Sequence, residues 1–203
     1  MEERTTRANG RASRELILEA ALAVFAERGS RGTSLSDIAS EAGMTQPGLL
    51  YHFASKDLLL LEVVLQREEM TEAAFQRRLA AGELTLAGAI RALAATNAEA
   101  PLHQHLLTTL SAEAIPAGHP LHEHFVTRYR DARSGLANAL RDGQARGTIA
   151  ADVDIDAVAC EIIACLDGLH LQWLLDPDEV ELVENLSAYA DRMDRFLSPP
   201  TRL

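Results

Sequence analysis

T-S-L-S-D-I-A-S-E-A-G-M-T-Q-P-G-L-L-Y-H-F-A-S-K-D-L-L, residues 33–59, carries three helix starts and one tight turn. Ser34 stands where a side chain caps a helix from Leu35 to Ala42, and Asp37 supplies the reciprocal half of a capping box. Gly43 ends that helix. Thr45 caps a second short helix, Gln46 to Phe53, with Pro47 in the first turn, where a missing N–H costs nothing. Met44 and Leu49 are placed as a hydrophobic staple at its entry. Ile38, Ala39, Ala42, Leu49, Leu50 and Phe53 are spaced to close a small core, and Ala39 is small enough to let the two helices approach. Two short helices joined through a glycine turn form a helix-turn-helix. The outer face of the second of them stays free, and such a helix fits the major groove with its N-terminal residues against base edges. Gln46 can pair with adenine, Pro47 offers apolar surface to a thymine methyl, and Gly48 lets the backbone approach DNA. The same pattern also suits a purely structural αα corner, and spacing alone does not choose between the two.

Working outward, Ser55 caps a long helix from Lys56 to Ala80. Upstream, a helix from Ala12 to Arg28 carries the stripe Leu16, Ile17, Ala20, Ala21, Val24 and Phe25 and stops at Gly29. Residues 1–11 read as a flexible arm bearing Arg4, Arg7 and Arg11. The net charge of −11 argues against nucleic acid only until it is apportioned. Residues 1–56 hold seven basic and seven acidic groups, so the whole excess of acid lies downstream. A neutral head on an acidic body can bind a polyanion locally while the body repels it.

The rest is helical in period, with helices expected near 85–99, 101–114, 120–146, 154–175 and 178–197. The fold class is therefore all-α: an N-terminal three-helix helix-turn-helix domain (residues 12–55) and a larger C-terminal helical bundle (56–198), about nine helices in total. Cys160 and Cys165 point to different sides of one helix and are read as reduced core thiols. No secretory signal precedes the first helix, and apolar runs such as Leu58–Leu61 are far too short to span a bilayer. A cytoplasmic protein without a membrane partner is expected.

The parts D-I-A-x-x-A-G and L-Y-H-F-x-S-K-x-x-L, with R-x-x-I-L-x-A-A-x-x-x-F-A-E-x-G from Arg14 to Gly29 before them, closely resemble the TetR family of transcription regulators over residues 14–65. The resemblance implies a homodimer that binds double-stranded operator DNA and answers a small-molecule effector, a repressor more often than an activator. It puts Gln46, Pro47 and Gly48 at base-reading positions and Tyr51, His52 and Lys56 at phosphate-contacting ones. Thr33 and Ser34 fall where the start of the second helix meets the DNA backbone, and the arm arginines could add minor-groove or phosphate contacts. Gly48 departs from the Thr or Ser of many relatives, which shifts base readout onto Gln46. Plainer readings stand beside these: Tyr51 packing beneath its helix, His52 merely exposed. Lys56 at a helix N-terminus opposes the dipole unless an anion or acceptor offsets it.

In the C-terminal half, Leu166, Leu169, Trp173, Val183 and Leu186 lie on apolar stripes that could pair two subunits or fill an ordinary core. Leu106, Thr109, Leu110, Phe125, Tyr129, His170 and Trp173 are candidate ligand-lining residues by helix position. With 4% aromatics, such a pocket should be mostly aliphatic and suit an apolar or amphipathic molecule. His103, His105, His119, His122 and His124 raise a metal-responsive alternative, but their spacing lacks the i,i+4 pair of a helical zinc site, so no metal ligand and no cofactor is assigned. No phosphate-binding glycine loop or nucleophile elbow suggests an enzyme. A helical dimer or an enzyme with an incidental helix-turn-helix remains the other alternative.

Overall fold

Helix caps account for most of the element boundaries in the computed structural model, which describes residues 2–66 and 85–199, with side chains from residue 12. The helices are α1 (Glu2–Arg28), α2 (Leu35–Glu41), α3 (Gln46–His52), α4 (from residue 56, described to 66), α5 (Leu86–Ala98), α6 (Pro101–Glu113), α7 (His122–Ala145), α8 (Ile155–Leu175) and α9 (Leu182–Leu197). There is no strand among the described residues. The Ser34 hydroxyl accepts from the Asp37 N–H while the Asp37 carboxylate accepts from the Ser34 N–H, closing the capping box. Thr45, Ser55, Thr85 and Asp154 cap α3, α4, α5 and α8 in the same one-sided way. At the end of α2, the Met44 N–H reaches the Ala39 carbonyl and the Gly43 N–H that of Ser40, a Schellman turn with Gly43 at φ +65°. A residue with a Cβ would be strained there.

Two expectations change. The backbone of residues 2–11 continues α1 rather than forming an arm, with Glu, Arg and Ala, which favour helix, outnumbering Thr5, Thr6, Asn9 and Gly10. The last helix begins at Leu182, not 178, because Pro177 and a turn closed by Val180 N–H to the Asp176 carbonyl occupy its expected start. The arm's arginine side chains, and residues 67–84, which include the expected remainder of α4 to Ala80, lie outside the described residues.

The chain divides into two compact units, Met1–Met70 with Leu102–Leu121, and Thr71–Pro101 with His122–Leu203. Residues on both sides of the 55/56 boundary read from the sequence, and most of α6, group in the first unit. In the first unit Ile17, Ala21, Val24 and Phe25 of α1, Ile38 and Ala39 of α2, Leu49 of α3 and Leu59, Val63 and Val64 of α4 are buried. Two members of the expected stripes turn outward, Leu16 at 53% and Leu50 at 40% exposure. Leu50 lies a helical step of 100° beyond Leu49, which faces inward with Phe53.

In the second unit α5 packs on α9, α7 on α8, and α8 on α9. Ala87, Ile90 and Ala94 of α5, Ala137 and Leu140 of α7, Ile155, Val158 and Ile162 of α8, and Leu182, Leu186, Tyr189 and Ala190 of α9 form one buried cluster. Burial pushes the Tyr189 phenol up to about 12.

Candidate nucleic-acid interface

The outward face of α3 follows from what is buried beneath it. Leu49 is fully buried and Phe53 nearly so, with the Arg14 guanidinium 4.4 Å from the Phe53 ring centre and paired to Glu62 at 2.6 Å. Opposite them Gln46, Pro47, Leu50 and Tyr51 are exposed, Tyr51 at 87%. Tyr51 therefore does not pack beneath its helix. It meets only the edge of the half-buried His52 ring, at 5.3 Å between centres. Gly48 lies half-buried between the two faces. Its N–H donates to Thr45 Oγ1 at 3.3 Å, and a Cβ there would press on that same oxygen.

Ser34 remains exposed at the start of α2, with its hydroxyl donating to Asp37 Oδ2 at 2.6 Å. The hydrogen bonds from Ser34 hold the Asp37 carboxyl below its usual range. The Thr33 hydroxyl is engaged within the protein. The residue is buried, and its hydroxyl donates to the Gly29 carbonyl at 2.8 Å, closing the last turn of α1. A β-branched residue at a loop end reads equally as surface or as internal cap, and here the cap prevails.

Lys56 likewise has partners within the protein. Its Nζ donates to the Ser30 carbonyl at 2.8 Å and the Thr33 carbonyl at 3.0 Å, which offsets the dipole of α4 without any phosphate. An ammonium has three donors, so one is left for another acceptor.

Ser30 is the hub that the sequence reading missed. Its N–H donates to Glu113 Oε2 at 2.9 Å and its hydroxyl lies 3.2 Å from His119 Nε2. Leu121 N–H donates to His119 Nδ1 at 3.2 Å, so the proton sits on Nε2, which donates to Ser30. Glu113 also occupies the space a Cβ at Gly29 would need, and Gly29 has φ +69°. The entrance to the helix-turn-helix is thus tied to the end of α6 through backbone groups. A polar residue beside Gly29 gave no sign of partners more than 80 positions away.

The other predicted residues belong to both units. Leu106 and Leu110 are buried and Thr109 half-buried on α6 in the first unit, whereas Phe125, Tyr129, His170 and Trp173 belong to the second. In the second unit Tyr129 hydrogen-bonds Asp167, and the buried His170 accepts from Asn97 Nδ2 through Nε2 at 2.9 Å while its Nδ1 serves the Leu166 carbonyl. Burial holds His170 down to about 4.

Of the interface candidates, Leu186 is fully buried in its own unit, and Leu166, Leu169 and Trp173 pack against that same core. Only Val183 is exposed. The apolar surface that is open instead is the Leu171 and Leu175 side of α8, with Phe196 on α9. The expected pair of core thiols is half wrong: Cys160 is exposed and Cys165 partly buried, with its thiol pushed up by burial. Among the described residues no three His, Cys, Asp or Glu gather in a metal-binding group, and His119 and His170 have partners of their own. The metal-responsive alternative gains no support. By length and composition α8 could cross a membrane, but it carries exposed Glu161 and Asp167 mid-helix and packs on α7 and α9.

A two-helix reader with a buried inner face and an open outer face defines a helix-turn-helix DNA-binding regulator. The family model of bacterial regulatory proteins, tetR family, matches residues 17–63, and that of the BetI-type transcriptional repressor, C-terminal, matches 83–198. The chain belongs to the TetR family of transcription regulators, with a C-terminal half of the BetI type. It is similar to the HTH-type transcriptional regulator TtgR of Pseudomonas putida, 27% identical over 98% of this chain and 99% of that one. A regulator from Saccharomonospora viridis in complex with choline superposes with TM-score 0.71 at 26% identity, covering 91% and 96% of the two chains. The ketosteroid regulator KstR2 of Mycobacterium tuberculosis shares the fold at TM-score 0.72 and 22% identity, over 91% and 94%.

Proposed function

We propose that the chain is a dimeric repressor that reads a palindromic operator with the open face of α3 and lets go when a small molecule occupies its C-terminal half. The observation that carries this reading is the free set Gln46, Pro47, Leu50 and Tyr51 on one side of a helix whose other side is buried. Gln46 reads adenine, Pro47 and Leu50 touch thymine methyls, and Tyr51, His52 and Ser34 meet phosphate. Leu50 is added to the sequence-based set because it lies one turn beyond Gln46 on the same face.

Half-sites then lie about 34–36 Å apart, or a multiple of that. An effector can shift the dimer between spacings only by its difference in affinity for the two. The mostly aliphatic second unit, with the Asn97–His170 pair as its buried polar feature, suits an amphipathic effector. The protein acts in the cytoplasm, binds no metal to do so and turns nothing over.

Gln46→Ala tests the reading by fluorescence anisotropy on operator DNA and its single-base variants. It should cost about 1–3 kcal/mol and relax preference at one base pair. Binding equal to the parent's on every variant would remove Gln46 from the recognition surface.

A further inference from the structure

A groove of about 690 Å3 opens between α7 and the N-terminal half of α8. Its floor is apolar, made by the buried Ala137 and Ala159. Its walls are polar and exposed: Arg130, Arg133, Ser134, Asn138 and Arg141 from α7, with Asp156 from α8. Asp156 is already engaged, since both its oxygens accept from Arg141 Nη2, at 2.5 and 2.7 Å. Arg141 Nη1 also donates to Asn138 Oδ1 at 3.3 Å, so what Asn138 has left to offer is its amide donors. Arg130 and Arg133 have no ion pair or hydrogen bond among the described residues. Yet the chain's whole excess of acid lies in this half of it. Three guanidinium groups against one carboxylate leave the lining at +2, and its unsatisfied side chains are donors.

We propose that this groove binds a phosphate monoester of a small polar molecule. Arg130 and Arg133 are three residues apart on α7, which puts about 5–6 Å between their Cβ atoms. At that spacing two guanidinium forks can converge on one group. A phosphate monoester satisfies both, because it has three terminal oxygens and about −1.5 to −2 of charge, which balances the lining. A single carboxylate has half that charge, and one fork saturates its two oxygens. Arg141 lies eight residues beyond Arg133, about 12 Å along the helix, and is held by Asp156, so it closes the far end of the groove. Between the two ends Ser134 and Asn138 offer a hydroxyl and an amide to a neutral polar body, which rests on the two alanines. The volume falls in the range of about 300–1,000 Å3 typical of small-molecule sites, more than an inorganic ion fills. The groove lies wholly inside the second unit, so the site needs neither operator nor second copy.

Cys160 belongs to the same lining and is exposed, so its thiol reports occupancy. The full chain is alkylated with neutral iodoacetamide at fixed ionic strength, with glucose 6-phosphate, inorganic phosphate or glucose present, and the label is located by fragment masses. Saturating glucose 6-phosphate should slow alkylation of Cys160 at least about five-fold and leave Cys165 unchanged, since access limits a thiol's reaction. Inorganic phosphate should protect only at higher concentration, and glucose not at all. Arg130→Gln with Arg133→Gln, both on the surface, should keep the parent's melting temperature and weaken glucose 6-phosphate binding at least about ten-fold by calorimetry, because charge-assisted hydrogen bonds are the strong ones. No protection in the parent, or equal binding by parent and variant, would overturn the proposal. Equal protection by inorganic phosphate and by the ester would make the groove a site for free anions only, and would overturn it too. So would a Cys160 that resists alkylation with no ligand added, which would mean that the groove is already covered.

Discussion

The two compact units are held by different means. In the first, a small apolar core is supplemented by caps and by polar groups gathered around Ser30, with Lys56, Glu113 and His119 each making one polar tie to it. In the second, longer helices are fixed by one apolar cluster from Ala87 to Leu197, and the polar exception is the buried Asn97–His170 pair. Polar ties are directional, so the first unit presents α3 at a defined angle. Apolar packing is non-directional and sets no single angle by itself. That contrast suits a reader whose geometry is fixed and a body that answers a ligand.

The largest expected effect lies in the apolar cluster. Leu186→Ala should cost about 2–5 kcal/mol in urea unfolding, whereas Leu171→Ala, on the open side of α8, should leave protomer stability almost unchanged. Equal losses would mean that the core and the open face have been confused. Next come the two polar devices. Lys56→Met strands the Ser30 and Thr33 carbonyls and should cost about 2 kcal/mol of stability. An unchanged melting temperature with weaker, less salt-sensitive DNA binding would restore Lys56 to the phosphate set.

His170 is held neutral in the fold, so the unfolded chain binds its proton first as pH falls. The stability it contributes is complete above the unfolded value of 6.5 and is lost progressively down to about 4. Between pH 7 and 5 the parent should lose about 2 kcal/mol that His170→Gln does not. Parallel pH profiles would contradict the buried pair. The smallest effect belongs to the cap: Ser34→Ala should cost about 1 kcal/mol. With Asp37 held low by Ser34, the cap's full strength is present above the ordinary carboxylate range and fades as pH falls through the depressed value.

The same contrast explains how much was legible. The first unit was read nearly residue by residue, because Ser34, Gly43, Thr45 and Ser55 act on neighbours three or four positions away. What escaped there was mostly long-range: Glu113 and His119 reach Ser30 from more than 80 positions away, and Lys56 reaches carbonyls 23 and 26 positions upstream, while Thr33 turned to the Gly29 carbonyl four positions before it. In the second unit the helices were legible from their period, but their faces were not. Leu166, Leu169 and Leu186 carry the same apolar character as Leu171 and Leu175, and only the packing of α8 on α7 and α9 decides which set is inside. The candidate ligand residues divide between the two units, a grouping that helix position alone does not reveal.

The most direct measurement is salt-dependent binding of the purified chain to DNA from upstream of its own gene. A reader built on α3 should retard one such fragment at low ionic strength and lose affinity steeply and log-linearly as salt rises, because phosphate contacts release counterions. No retardation of any upstream fragment, or an affinity indifferent to salt, would contradict DNA recognition by the open face of α3.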